Sequence, residues 1–342
     1  MNEFLIVTVA DDLHGLSVQA SLRRRKFECH ILESDKLMGN EALTFSICDG
    51  QPAITKIRSS DGRIVDASSI GVIWWRRPKA LQQLDGWSRE PDHLGLINND
   101  CTTTLIGSLQ NSFLGKWISS PRATEFSSNK LNQLAAASRC GFRIPETLVT
   151  QVPAEVRSFY QRHAGRVIVK PVAGTPGPLL FTQFVQEAHL EATESIRVCP
   201  AIYQEFIPGT RHIRLNCFGE HSYAGLIESE ALDWRPNLKV PIMRWGVPNS
   251  LHVRIRQVLD LLGLDMGIID LKEMPSGEIV WLEVNPQGQF LFLEGLTGEP
   301  LTEHFSDYLI AEMDRLLGNS RADGTNAPQR DEIVSSESLR PY

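Results

Sequence analysis

The stretch from Met266 to Pro286 constrains this chain more than any other. It reads MGIIDLKEMPSGEIVWLEVNP, two apolar runs on either side of Pro275-Ser276-Gly277. Turn-forming residues between apolar runs specify a β-hairpin. Side chains alternate along a strand, so Val280, Leu282 and Val284 are expected on one face and Trp281, Glu283 and Asn285 on the other. A carboxylate and an amide then point the same way from an otherwise apolar strand. A two-residue Ser276-Gly277 loop places Asp270 directly opposite Glu283. A three-residue Pro-Ser-Gly loop with a bulge shifts the pairing by one, and the residues are compatible with either. Two facing carboxylates repel unless a cation or a proton lies between them. Asp, Glu and Asn are all oxygen ligands, the set suited to Mg²⁺ bound jointly with phosphates. The plainer reading makes Asp270 a turn starter and Glu283 and Asn285 a solvated strand face. The apolar flanks argue against a freely exposed strand.

With 342 residues the chain is long enough for two or three domains. Residues 4–10 form a continuous apolar run expected of a strand buried on both faces. Asp11, Asp12 and Gly15 read as turn residues, 17–26 as a helix and 27–32 as a second strand, a β-α-β opening typical of a doubly wound α/β domain. Two Gly-marked turns in 44–64 suggest hairpin strands. Gly71-Val72-Ile73-Trp74-Trp75 is a further strand, and 98–112 a helix. A helix over 127–140 ends at Gly141. Beyond Pro145 strands and helices alternate: 167–171, 200–206 and 212–218 as strands, 248–262 and 302–317 as helices, with a Gly/Pro-rich loop at 173–178. Residues 319–342 are polar and read as a disordered tail.

The chain carries 34 Lys and Arg against 41 Asp and Glu, a net charge of -7. That balance argues against sequence-independent nucleic-acid binding, which needs a basic surplus, but not against a local basic site for phosphates. The seven Trp, Trp74-Trp75 included, are therefore read as core or interface. The six cysteines are scattered without a CxxC pair, which suits a reducing compartment. The N-terminal apolar run is too short for a signal peptide or a membrane span, so a cytoplasmic protein without a membrane partner is expected. His189, His212 and His221 show no ligand spacing. No GxxxxGK[ST] run exists, so Lys170, at a strand end before the Gly/Pro-rich loop, is not part of a P-loop, although it suits phosphate contact.

Taken in order, Lys130, Lys170 with its loop, Gln204-Glu205-Phe206-Ile207, Arg214, Asp233-Trp234-Arg235-Pro236-Asn237, Asp270 and Glu283-Val284-Asn285 resemble the ATP-grasp ligases over residues 130–317. The likeness is closest to the branch holding the ribosomal S6 glutamate ligase and the graspetide (microviridin-type) peptide maturases. Three elements favour the graspetide maturases: Trp74-Trp75-Arg76-Arg77-Pro78, which is similar to their WxRRP element, the run 141–150, and 285–290 followed by Leu293-Glu294 and Thr297-Gly298. The resemblance implies an α/β ATP-grasp fold with an N-terminal pre-ATP-grasp (Rossmann-like) α/β domain. It divides the chain into 1–118, a central subdomain over 119–200, a C-terminal subdomain over 201–318 and the tail.

The resemblance also assigns roles. Lys130 and Lys170 would bind ATP phosphates. Gln204 and the hinge Glu205-Phe206-Ile207 would hold adenine. Arg235 and Asn237 would line the nucleotide site, and Asp270, Glu283 and Asn285 would bind Mg²⁺. Arg214, with Arg235, would stabilise charge as a carboxylate attacks the γ-phosphate. His212 stands where the family has an acid thought to meet ribose. The implied reaction activates Asp or Glu side chains of a ribosomally made precursor peptide, with leader and core, as acyl phosphates. Ser, Thr or Lys side chains then close lactones or lactams. Glu187, Glu191 and Glu194 could meet a basic leader or form one solvated helix face. A ligase adding amino acids to a protein tail or small peptide, and a non-catalytic nucleotide-binding regulator, are the alternatives. A homodimer is the family-level expectation.

Overall fold

The computed structural model describes residues 2–78, 91–173, 182–237 and 239–322. The chain opens with β1 (Glu3–Thr8), a helix (Leu13–Arg24) and β2 (Cys29–Glu33). An antiparallel meander of β3 (Leu43–Ser46), β4 (Ile54–Arg58) and β5 (Ile64–Asp66) follows, then β6 (Ile70–Trp75) and β7 (Lys116–Ile118). A parallel sheet runs in the order β2-β1-β6-β7. Its continuous apolar strands are buried on both faces, as parallel strands require. The first helix starts at Leu13 rather than Ser17 and takes in Gly15. A Cβ on Gly15 would meet Thr8 Cγ2 at 3.1 Å, so glycine there serves close helix–strand packing instead of a turn.

The expected helix over 127–140 is two helices, Pro121–Ser128 and Lys130–Arg139. Asn129 breaks the run: it is extended, and its side chain accepts the Leu131 N–H at 2.9 Å as an N-cap. A second sheet of β8 (Thr147–Thr150), β9 (Val167–Pro171), β10 (Gln183–Phe184) and β11 (Ala201–Glu205) has the order β10-β9-β11-β8. β11 lies past the division expected at 200/201, yet it pairs with β8 and β9, so this sheet extends to Glu205. The third sheet holds β12 (Arg211–Phe218), β13 (His221–Glu228), β14 (Ile242–Trp245), β15 (Met266–Glu273) and β16 (Ile279–Asn285), in the order β14-β13-β12-β15-β16. The last helix, Leu301–Ala322, runs four residues into the segment read as a disordered tail. The remainder of that tail and residues 174–178 of the Gly/Pro-rich loop lie outside the described residues. No described helix is long and apolar enough to cross a membrane.

One core joins the first and third sheets. Trp74 packs on Phe305 with ring centroids 4.6 Å apart, and Phe305 on Phe218 at 4.9 Å. Trp75, on the opposite face of β6, packs on Trp117. Both tryptophans are thus core residues.

The hairpin combines the two registers open from sequence. Its loop is the three-residue one: Met274 N–H donates to Glu278 C=O, and Glu273 pairs with Ile279. A bulge at Leu282 then restores the alignment, and Asp270 faces Glu283. The bulge also corrects the expected faces. Trp281 joins Ile269 and Val284 in the core, while Leu282 and Glu283 both turn toward the cleft. β16 is an edge strand, and its outer edge is paired. Trp281 N–H donates to Arg143 C=O at 2.9 Å, and the Gln133 amide accepts from Val284 N–H (3.0 Å) and donates to Val284 C=O (2.8 Å). Gln133→Leu leaves both Val284 groups unpaired and is expected to cost about 1–3 kcal/mol, read as a lower midpoint in urea unfolding with an unchanged slope.

Candidate active site

A cleft of about 1000 Å³, mouth included, lies between the second and third sheets. One end is the hinge after β11, where Gln204, Glu205, Phe206 and Ile207 line the wall with Ile168 and Leu271. The Gln204 side chain is buried and donates to Thr147 Oγ1 at 2.8 Å, so it anchors the hinge to β8. The Glu205 carboxylate is held by Arg143 and by the Glu146 N–H (2.8 Å). Glu205 and Phe206 N–H groups donate to the carbonyls of Glu146 and Arg166. The Ile207 N–H has no acceptor among the described residues. Ile207 itself is buried, and a backbone donor on an apolar wall is suited to donate to a ring nitrogen of a planar base.

The other end is charged. Asp270 on β15 lies between Arg214 on β12 and Glu283 on β16. Arg214 Nη1 is 2.8 and 2.7 Å from the two Asp270 oxygens, and its Nη2 donates to Gln289 C=O at 3.2 Å. Lys130 Nζ stands 3.9 Å from Glu283 Oε2 and donates to Pro171 C=O. Lys170, at the end of β9, and Arg235 complete the ring of cations. The two carboxylates are driven apart electrostatically. Burial, together with the charge of Glu283, raises Asp270 against the pull of Arg214. Burial opposes the ionised form of Glu283 too, but Lys170, Lys130 and Arg235 hold it below the usual range. Burial pushes Lys170 down to about 8, with Glu283 resisting. Arg235 is clamped by Asp233, whose carboxylate accepts its Nε–H at 2.8 Å.

Between the ends stands His212, 5% exposed and paired across the sheet with Lys272. Burial first, then the Lys272 charge, lowers His212 to about 4, so its imidazole is neutral, and its Nε2 has no partner among the described residues. Lys272 lies 5.2 Å from the Phe206 ring centroid, beneath the hinge.

Solved structures share this architecture, whereas no protein-family model and no curated protein matches the chain. A RiPP-associated ATP-grasp ligase of Chryseobacterium gregarium, in complex with ADP and a leader and core peptide, is 26% identical with a TM-score of 0.81 over 91% of this chain and 97% of that one. The macrocyclase MdnB of Microcystis aeruginosa MRC is 26% identical with a TM-score of 0.76, over 91% of this chain and 99% of its own. The chain shares the fold of these ATP-grasp ligases. The ATP-grasp ligase PsnB, complexed with minimal precursor, Mg and ADP, adds a likeness of fold at 24% identity and a TM-score of 0.74, over 92% of this chain and 98% of that one.

The cleft gathers Lys130, Lys170, Gln204, Glu205, Phe206, Ile207, His212, Arg235, Asp270 and Glu283 from the residues singled out in the sequence. Three others stand just outside its lining. Arg214 reaches the site through Asp270. Asn285 follows Glu283 by two residues, on the exposed end of β16, and its side-chain oxygen accepts the Gln287 N–H. Asn237 is exposed, its side-chain oxygen occupied by the Lys239 N–H. Glu187, Glu191 and Glu194 are exposed on two short helices, Glu187–Glu191 and Thr193–Val198, so they do not form one helix face. Lys272 and Asp233 were missed as site residues. Strand alternation signals Lys272, which shares the Asp270 face. Nothing local signals Asp233 beyond its closeness to Arg235.

With Lys170 in contact with nucleotide phosphate, its shift would set a pH dependence for nucleotide binding. Its ammonium is present below about 8 and lost above it, so nucleotide phosphate must drive protonation at higher pH. The KM for ATP is expected to be level below pH 7.5 and to rise well above pH 8, approaching about tenfold per pH unit. Lys170→Arg, which stays charged, should flatten the profile, and a level wild-type profile to pH 9.5 would remove Lys170 from phosphate contact.

Proposed function

We propose that this ligase closes side-chain rings in a ribosomally made precursor peptide. The observation that carries the reading is the ring of cations around the facing Asp270 and Glu283, at the end of a cleft whose other end is an apolar hinge with a free Ile207 N–H. A carboxylate attacking the γ-phosphate brings one anion onto another, and the barrier falls when fixed cations already surround the reacting oxygens. The peptide's Asp or Glu oxygen forms a bond to the γ-phosphorus, the bond to ADP breaks, and an acyl phosphate results. A Ser or Thr hydroxyl, or a Lys amine, of the same peptide then adds at the acyl carbon and phosphate leaves. Each ring is a lactone or lactam formed with loss of one water from the peptide.

The chain's residues divide this work. Lys130 and Lys170 take the nucleotide phosphates. The hinge, with the Ile207 N–H as donor, takes the base, and neutral His212 stands where ribose would pass. Arg235, oriented by Asp233, and Arg214, oriented by Asp270, face the incoming carboxylate. Asp270 and Glu283 fit Mg²⁺ by donor chemistry: two facing, partly buried carboxylates with the Asn285 amide nearby. Two carboxylates fill only part of the coordination shell of such an ion, so phosphate oxygens and water would take the remaining positions. Held there by Asp270 and Glu283, the ion would supply neutralisation of phosphate charge. The same reading includes a cytoplasmic homodimer that meets the peptide through its leader, with no nucleic-acid or membrane partner.

Incubation with ATP, Mg²⁺ and a short Thr/Ser- and Asp/Glu-rich candidate precursor peptide should lower the peptide mass by one water per ring, with one ADP released each time. An unchanged peptide mass with no ADP release would defeat the reading. Glu283→Gln is expected to reduce ADP release by at least about 100-fold with native circular dichroism, since it removes an anion that orients both lysines. Arg214→Ala should lose ring formation far more than nucleotide affinity, and a variant with wild-type turnover would exclude Arg214 from the chemistry.

A further inference from the structure

The most constrained polar cluster outside the cleft ties the first sheet to the loop after β16. Arg76, just past the end of β6, is completely buried. Its Nε donates to Asp12 Oδ2 at 2.9 Å, and its Nη1 to the carbonyls of Gln287 and Gly288 at 2.7 and 3.0 Å. Asp12 Oδ2 also accepts from Thr8 Oγ1 at 2.6 Å. His14 Nε2 accepts the backbone N–H groups of Phe290 (2.9 Å) and Leu291 (3.2 Å). Those two donors put the ring proton on Nδ1, which faces Asp12 Oδ1 at 3.7 Å. Burial lowers the His14 pKa and keeps the ring neutral, as an Nε2 acceptor must be.

The same loop meets the reaction centre from its other side. The carbonyl of Gln289, one residue before Phe290, accepts from Arg214 Nη2. Gly288 is pressed against β15, where a Cβ would lie 2.5 Å from Ile268 Cβ. The loop is therefore held by the first sheet on one side and holds the Arg214 guanidinium on the other. Asp12, His14 and Arg76 themselves stand outside the cleft lining.

We propose that Asp12, His14 and Arg76 are positioning residues that clamp residues 287–291 and thereby set the Arg214 guanidinium against Asp270. The proposal rests on the ligase reading above. It makes the N-terminal sheet a determinant of the phosphoryl-transfer geometry without contact to the nucleotide. A cluster that only joined the two halves of the molecule would affect stability and leave Arg214 unmoved.

The test uses full-length Asp12→Asn, Arg76→Lys and His14→Ala. Amide exchange in the peptide spanning residues 286–291 should accelerate at least about tenfold, and calorimetric MgADP affinity should stay within about twofold. With the candidate precursor peptide, kcat for ADP release should fall about 10- to 100-fold while the ATP KM holds within about twofold, the pattern of a displaced catalytic group. In an Arg214→Lys background, Arg76→Lys should add less than about a twofold further loss, because the group it positions is already altered. Unchanged loop exchange, a kcat loss matched by a KM rise, or losses that multiply in the double variant would each overturn the proposal. If Arg76→Lys and Asp12→Asn lose cooperative unfolding, His14→Ala, which removes no buried charge, decides by the same readouts. Exchange and MgADP binding need no peptide. A wild-type protein inert toward the peptide defeats the ligase reading, whereas unaccelerated exchange in the variants defeats the clamp.

Discussion

Two carboxylates held face to face in a partly buried sheet are tolerable only if positive charge surrounds them, and much of this protein is arranged to meet that condition. Asp270 and Glu283 come together because a bulge at Leu282 realigns β15 and β16 after a three-residue loop. Each neighbouring unit then contributes a cation: Lys130 from a helix, Lys170 from β9, Arg214 from β12 and Arg235 from a turn. With the pair left bare, repulsion and lost hydration would act together. With the cations present, the charges balance, and the carboxylates hold the lysines and arginines at separations that their mutual repulsion alone would not allow.

The supports of that cluster are themselves hydrogen-bonded rather than merely packed. Gln133 pairs with the backbone of Val284, next to Glu283, and Arg143 pairs with that of Trp281. β16 would otherwise be a free edge able to slip, and a slip of one residue would turn Glu283 away from Asp270. Arg143 also grips Glu205, so the residue that pins the Glu283 strand pins the hinge as well. The two ends of the cleft are thereby referred to one another.

Much of the site was legible because its residues are chemically conspicuous where they stand. Carboxylates in an apolar hairpin, a lysine closing a buried strand and a Gln-Glu-Phe-Ile run before Pro-Gly all stand out from their surroundings. Faces were less legible. Alternation put Trp281 with Glu283, and the bulge moved Trp281 into the core with Val284. Lys272 obeyed alternation and could have been found with Asp270. Asp12 read as a turn residue, His14 lay in that turn without a role, and Arg76 was part of a motif without a role. Their partners are 64 to more than 270 residues away, and no local pattern encodes such a meeting.

Sequence by itself determined the α/β class, the hairpin and the identity of most of the charged groups that line the cleft. Those follow from local chemistry: side-chain periodicity, turn residues and the cost of placing ions among apolar neighbours. Only the tertiary structure decided the pairing of Asp270 with Glu283, the depressed Lys170, the neutral His212 and the bridge from Arg76 to Arg214. The physical reason is that register, burial and long-range hydrogen bonding depend on which segments meet, and the charge a side chain carries in the cleft is set by neighbours that the fold brings to it.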